Sequence, residues 1–257
     1  MNQSSNNKTE PRIAELFELC IVIPCYNEEK RLNKGQMFDF LKLEKNILLC
    51  YVNDGSSDNT IEVLHKIKSK YPYNVEVIST PENVGKAEAV RFGFLQCHKL
   101  FNFTKIAYLD ADLATTLEEC YEISHIVKDK KVFAFGSRIK KIDTIIQRKG
   151  YRFLIGRVIA TFISKQLNLG VYDTQCGCKI FNAELSETIF KEKFISKWLF
   201  DVELFHRIIK LYSIEKMPEV CAEVPLKSWI DYDESKVKMT YFFKLWLDLY
   251  QIKKAYR

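Results

Sequence analysis

Two aspartates one residue apart close the apolar run in residues 106–117, IAYLDADLATTL. Carboxylates bunched at the end of a buried strand repel one another and lose hydration, which raises their pKa unless a cation compensates. Mg²⁺ or Mn²⁺ supplies that compensation, taking one or two carboxylates and completing its shell with substrate phosphate oxygens. At Asp110 and Asp112 the implied chemistry is Lewis-acid stabilisation of a departing diphosphate. A lone Asp-x-Asp is also an ordinary pair of turn residues, so it gains meaning only from its company. That company exists: Asn27 and Glu28, Asp54 and Asp58, and Arg138 each follow another apolar run.

The elements that must carry these residues alternate. Leu19–Ile23 is a continuous apolar, β-branched run ending at Pro24, as suits a strand buried on both faces. Ile47–Val52 is a second strand, stopped by NDGSSD, a stretch rich in turn and cap residues. Ile61, Leu64 and Ile67 predict a helix over Thr60–Lys70. Strands are expected at Val75–Ser79, Ile106–Leu109 and Val132–Gly136, and helices at Gly85–Leu100 and Leu117–Lys128. This alternation predicts an α/β fold with a mostly parallel, doubly wound sheet and helices on both faces. In such sheets ligands bind outside the carboxyl ends of the strands, which is where the polar clusters fall.

Composition narrows the function classes. The chain has 257 residues, 47% of them hydrophobic and 13% aromatic, enough for a sizeable core. A net charge of +6 favours anionic substrates or an anionic membrane surface, and is too small to argue for nucleic acid. No apolar run reaches the roughly 18 residues of a membrane span. Residues 1–17 begin MNQSSNNKTEPR, lack the apolar centre of a signal peptide, and are expected to form a flexible leader. The eight scattered cysteines then read as reduced, mostly buried thiols of a cytoplasmic protein. Cys176 and Cys178 lack the two-residue spacing and second pair usual for zinc.

Several blocks match a known family together. IVIPCYNEEKRL, YVNDGSSDNT, NVGKAEAVRFGF and IAYLDADLAT occur in the order and at the spacing of the inverting, GT-A-fold family 2 glycosyltransferases, which use nucleotide sugars. The chain resembles that family over residues 19–138. Further on, FGSRI, DTQCGCKIF, WLFDVELF and EVPLKSW are similar to dolichyl-phosphate β-glucosyltransferases and their bacterial polyprenyl-phosphate relatives. Cys178 stands where their pattern has Phe.

The resemblance implies a donor-binding half over about 18–138, an acceptor half over about 139–237, and an amphipathic C-terminal helix over 238–257. It implies UDP-glucose as donor and a polyprenyl (dolichyl or undecaprenyl) phosphate as acceptor. Pro24, Tyr26, Asn27 and Glu28 would hold base and ribose, although a plain strand-to-helix loop reads the same way. Asp54 would accept from the uracil imide, and Asp58 is a candidate helix cap. Lys86 would pair with diphosphate, or be a solvated lysine. Asp110 and Ala111 would face the sugar nucleotide, and Asp112 would ligate the Mg²⁺ or Mn²⁺.

The acceptor decides the rest. A lipid phosphate is already anionic at pH 7, so its attack needs positioning and charge stabilisation but no base. Arg138, Arg148 and Arg152 are the candidate phosphate ligands, the last two sharing a helix face; a solvated basic face is the plainer reading. A sugar hydroxyl, as in cell-envelope polysaccharide assembly, would need a base, for which Asp201 in WLFDVELF is the candidate. Asp201 and Glu203 also read as helix-start carboxylates, and Asp173 and Gln175 as structural or sugar-contacting residues. Residues 151–170 and 241–256 alternate apolar and basic residues and could lie on the cytoplasmic face of a membrane or close the core. A third reading, of another class, is a nucleotide-binding module without turnover.

Overall fold

A computed structural model describes residues 16–32, 34–147, 150–230 and 241–256; the side chains of 150–155 and 241–243 lie outside that description. The strands are β1 (Leu16–Cys25), β2 (Ile47–Asp54), β3 (Val75–Thr80), β4 (Asn102–Leu109), β5 (Phe133–Ser137), β6 (Ile145–Gln147), β7 (Cys178–Asn182), β8 (Cys221–Pro225) and β9 (Ser228–Ile230). The helices are α1 (Lys34–Leu43), α2 (Thr60–Lys70), α3 (Lys86–Leu100), α4 (Leu117–Ser124), α5 (Gly150–Leu167), α6 (Ala183–Ile189), α7 (Phe200–Tyr212), α8 (Met217–Val220) and α9 (Tyr241–Ala255). A seven-stranded sheet runs β3-β2-β1-β4-β7-β5-β8, and β6 pairs β9 in a small second sheet.

The apolar strand runs are two-sided, as their lack of alternation predicts. Cys20 and Val22 of β1, with Leu48, Cys50 and Val52 of β2, face one core. Leu19, Ile21, Ile23, Ile47, Leu49 and Tyr51 face the other. α3, α7 and α9 cover the first face, α1, α2 and α4 the second. α3 comes close because Gly93 is bare: a Cβ there would lie 2.5 Å from Cγ1 of Val22. That approach brings Lys86, the first residue of α3, over the strand ends.

Two expectations change. β1 begins at Leu16, so residues 16 and 17 are sheet rather than leader, in register with Asn102 and Phe103. α4 stops at Ser124, not residue 128, because the next amides bond three residues back in tighter turns. The sheet is mostly parallel, as expected, with β7 alone antiparallel between β4 and β5. The eight cysteines are free thiols, buried except for the half-buried Cys221.

Candidate active site

The carboxyl ends of β1, β2 and β4 open into a cavity of about 440 Å³. Of the expected nucleotide-site residues, Pro24, Tyr26, Glu28, Asp54, Lys86, Asp110, Ala111 and Asp112 line it. Asn27 does not. Its backbone is left-handed (φ 53°) and its side chain accepts from the Ser57 amide at 2.9 Å, so it stitches two loops together behind the wall. Arg31, Asn83, Gly85 and Trp198 also line the cavity and were missed as site residues, though each lies inside or beside a motif block.

Local hydrogen bonds explain the shape of the acidic turn. Beyond β4, the Asp110 amide donates to the Gly177 carbonyl (3.2 Å), and Asp112 Oδ1 accepts from the Ala114 amide (3.1 Å). Thr116 then caps α4 by accepting from the Glu119 amide (3.1 Å). Gly177 leaves room for the Asp110 carboxylate: a Cβ there would lie 2.0 Å from Asp110 Oδ2 and would push it aside. Asp58 is not the cap of α2: Asn59 holds that position without a side-chain cap bond, and Asp58, one residue earlier, accepts the Thr60 amide at 3.0 Å in a local turn.

Two cations face the two carboxylates. Lys86 Nζ lies 2.5 Å from Asp110 Oδ1, and Arg31 spans Asp112 (3.4 Å) and Glu28 (3.5 Å). Burial opposes the Lys86 charge, but Asp110 and Asp201 outweigh it and hold the ammonium above the usual lysine range. Burial first and the Asp110 charge second raise the Asp112 carboxyl, despite Arg31 and Lys86 nearby. Two carboxylates one residue apart on the wall of one cavity suit a hard dication bound through oxygen. Among the described residues, no three His, Cys, Asp or Glu side chains form a cage, so such an ion would draw ligands from a bound diphosphate. Asp54 is otherwise engaged: its carboxylate accepts from Thr80 Oγ1, Asn83 Nδ2 and the amides of Val84 and Gly85, which folds the cavity wall.

A second cavity, of about 270 Å³, is lined by Arg138, Arg157, Tyr172, Asp173 and Gln175 together with residues of α5. Arg138 is gripped bidentately by Asp173, Nε to Oδ2 at 2.6 Å and an Nη to Oδ1 at 2.8 Å. Burial works against its charge, yet Asp173 overcomes this and raises its pKa. Arg157 lies 3.7 Å above the Tyr172 ring and donates to the Tyr172 carbonyl. Nε2 of Gln175 is buried in this wall with no hydrogen-bond partner among the described residues. The same segment serves both cavities: Asp173 and Gln175 face the second, while Gly177 packs on Asp110 in the first. Arg148 and the Arg152 side chain fall outside the described residues.

Asp201 lines neither cavity. It starts α7 with Glu203, as read from the sequence, but its Oδ1 bonds Lys179 Nζ (2.6 Å) and the Tyr108 hydroxyl. Lys179 is fully buried and also donates to the Cys176 carbonyl at 2.6 Å. Buried, outside both cavities and bonded to Lys179 and Tyr108, Asp201 does not sit where a base would meet substrate, so that expectation gives way to an internal ion pair.

Comparison with known proteins agrees with this geometry. The family described as "Glycosyl transferase family 2" matches residues 20–190. A dolichyl-phosphate beta-glucosyltransferase of Trichomonas vaginalis is 31% identical over 245 residues, covering 90% of this chain and 69% of that protein. The dolichyl-phosphate beta-glucosyltransferase of Homo sapiens is 30% identical over 255 residues, covering 92% and 75%. The crystal structure of glucosyl-3-phosphoglycerate synthase from Mycobacterium tuberculosis with Mn²⁺, UDP-glucose and phosphoglyceric acid superposes with a TM-score of 0.66. It is 14% identical, covers 93% of this chain and 80% of that one, and shares the fold.

Proposed function

The chain belongs to glycosyl transferase family 2 and has the GT-A fold, and from that premise we propose that it transfers glucose, with inversion, from UDP-glucose to a polyprenyl phosphate. It is a glycosyltransferase; the curated relatives that cover most of it carry the dolichyl-phosphate beta-glucosyltransferase name. The observation that carries the reading is the pairing of cavities, one with an acidic pair flanked by cations, the other arginine-lined, sharing the wall of residues 173–177.

In this reading UDP lies in the first cavity, its nucleoside against Pro24, Tyr26 and Glu28. Mg²⁺ or Mn²⁺, held by Asp112 and the diphosphate, supplies neutralisation of the charge on the leaving group when bound. Asp110 orients the sugar, and Lys86 and Arg31 carry positive charge to the same oxygens. The acceptor phosphate enters the second cavity, where Arg157 and Gln175 receive it and Asp173 keeps the Arg138 guanidinium oriented. A phosphate oxygen attacks the anomeric carbon, the bond from that carbon to the diphosphate breaks, and UDP leaves. No general base is needed, in keeping with the buried ion pair of Asp201.

The proposal has the enzyme meet its lipid acceptor at the cytoplasmic face of a membrane. Among the described residues no helix is long and apolar enough to cross a membrane. α5 exposes Val158 and Phe162, α9 exposes Trp246, Leu247 and Tyr250, and the Phe162 and Trp246 rings meet at 4.9 Å. Lys165, Lys244, Lys253 and Lys254 on the same helices are exposed, as suits an anionic lipid surface. The test is incubation with UDP-glucose, Mn²⁺ and polyprenyl phosphate. Glucosyl lipid is expected, with none from the uncharged polyprenol; transfer to a sugar hydroxyl in preference to the lipid overturns the reading.

A further inference from the structure

The donor cavity is closed on one side by residues 195–199, which also brace the start of α3. Trp198 lines the cavity, and the Lys197 carbonyl accepts from the Ala87 amide at 3.4 Å, next to Lys86. What shapes this turn is the Ser196 hydroxyl. It accepts from the amides of Trp198 (3.3 Å) and Leu199 (3.0 Å), and donates its one proton to Oδ2 of Asp248 at 2.6 Å. Donation to a carboxylate leaves the hydroxyl lone pairs for the two amides, so Asp248 fixes which way Ser196 works.

Asp248 belongs to α9, 52 residues further along the chain. It is only 6% exposed and shares the buried side of the helix with Leu245, Leu249 and Ile252. A carboxylate among leucines is costly to bury, and a leucine would pack there more cheaply if packing were the purpose. It is also the only acidic residue of α9. We infer that Asp248 and Ser196 are positioning residues for the donor site: α9 latches the 195–199 turn, and so sets Trp198 and the backbone beside Lys86 in the shape that binds the nucleotide diphosphate. The inference deepens the proposed function, since it assumes that the first cavity takes the donor.

The latch is tested on the full chain with two readouts. The first is hydrogen exchange without nucleotide. Asp248→Ala and Ser196→Ala should each speed exchange at the amides of Trp198, Leu199 and Ala87 about tenfold or more, the loss of one charge-assisted bond. The second is calorimetric titration with UDP and Mn²⁺, together with glucosyl-transfer kinetics. Both variants should weaken UDP about tenfold and raise the donor KM while kcat stays within about twofold. Asp248→Asn keeps an oxygen that accepts the Ser196 proton and should fall between wild type and Asp248→Ala. If Asp248→Ala does not fold, Asp248→Asn and Ser196→Ala carry the test. Unchanged exchange at those three amides overturns the latch, as does unchanged UDP affinity and KM alongside a lowered melting temperature. A wild-type chain that binds no UDP overturns the donor reading instead, while the exchange result still judges the latch.

Discussion

In the donor cavity the charged side chains leave almost directly from the ends of β1, β2 and β4, and backbone hydrogen bonds of the adjoining turns aim them. The acceptor cavity is assembled from α5, the loop at 172–175 and the residue after β5, segments that meet only through tertiary packing. The Tyr172 and Asp173 amides, for instance, are pinned by Glu223 of β8. The charge is held differently too. In the first cavity two carboxylates share two cations, Asp110 with Lys86 and Asp112 with Arg31. In the second, Asp173 grips one edge of the Arg138 guanidinium, beside Arg157 and the buried amide of Gln175. The proposed function makes the first a site for a cation with its anionic ligand and the second a site for an anion alone.

Substitutions can break that contrast. The largest effect is expected from Asp112→Ala, which removes the metal ligand: transfer of glucose to the lipid should fall by roughly a thousandfold while the fold persists, measured as labelled glucosyl lipid. Near-normal turnover would mean that the acidic pair does no metal work. Next come Lys179→Met and Asp201→Asn. Each strands one partner of a buried ion pair and should cost about 3 kcal/mol of stability, read by urea denaturation. The double variant should cost clearly less than the sum. The Asp201→Asn enzyme that folds should keep the wild-type pH–rate profile; loss of its acidic limb would restore Asp201 as a base.

Arg157→Ala should act on one cavity alone, raising the acceptor KM about tenfold with UDP affinity unchanged, as steady-state kinetics and titration would show. Equal losses for donor and acceptor would erase the distinction between the two sites. The smallest effect concerns pH. Burial lowers the His98 and His206 pKa values below the usual 6.5, so both prefer the neutral form in the fold. The unfolded chain then takes up protons first. The stability they contribute is present above that value and lost as the pH falls through their folded values. The urea midpoint should therefore drop slightly between about pH 7 and 5.5, less in His98→Gln. The ratio of UDP to acceptor affinity should not move, since both histidines sit in the helical layer away from the cavity walls.

The donor side was largely legible because its signals are local. An apolar run followed by polar residues predicts a strand end, and parallel strands bring their ends to one edge. Asn27 misled because a left-handed turn points its amide at Ser57 instead of the cavity, and nothing in the residue type announces φ 53°. Asp201 misled because its partner, Lys179, lies on β7, a strand with no sequence signal of direction. Trp198 and Arg31 escaped because an aromatic or a basic residue in a loop reads as surface until a fold surrounds it.

Periodicity and composition in the chain alone determined the α/β alternation, the two-sided strands and the edge on which polar residues gather. Each depends on neighbours a few residues apart, where burial and backbone geometry leave little choice. Only the tertiary structure decided which charges meet: Lys86 with Asp110, Arg138 with Asp173, Lys179 with Asp201, Asp248 with Ser196. Such pairs join residues far apart in the chain, and a side chain's chemistry fixes what it can bind but not which partner packing will bring.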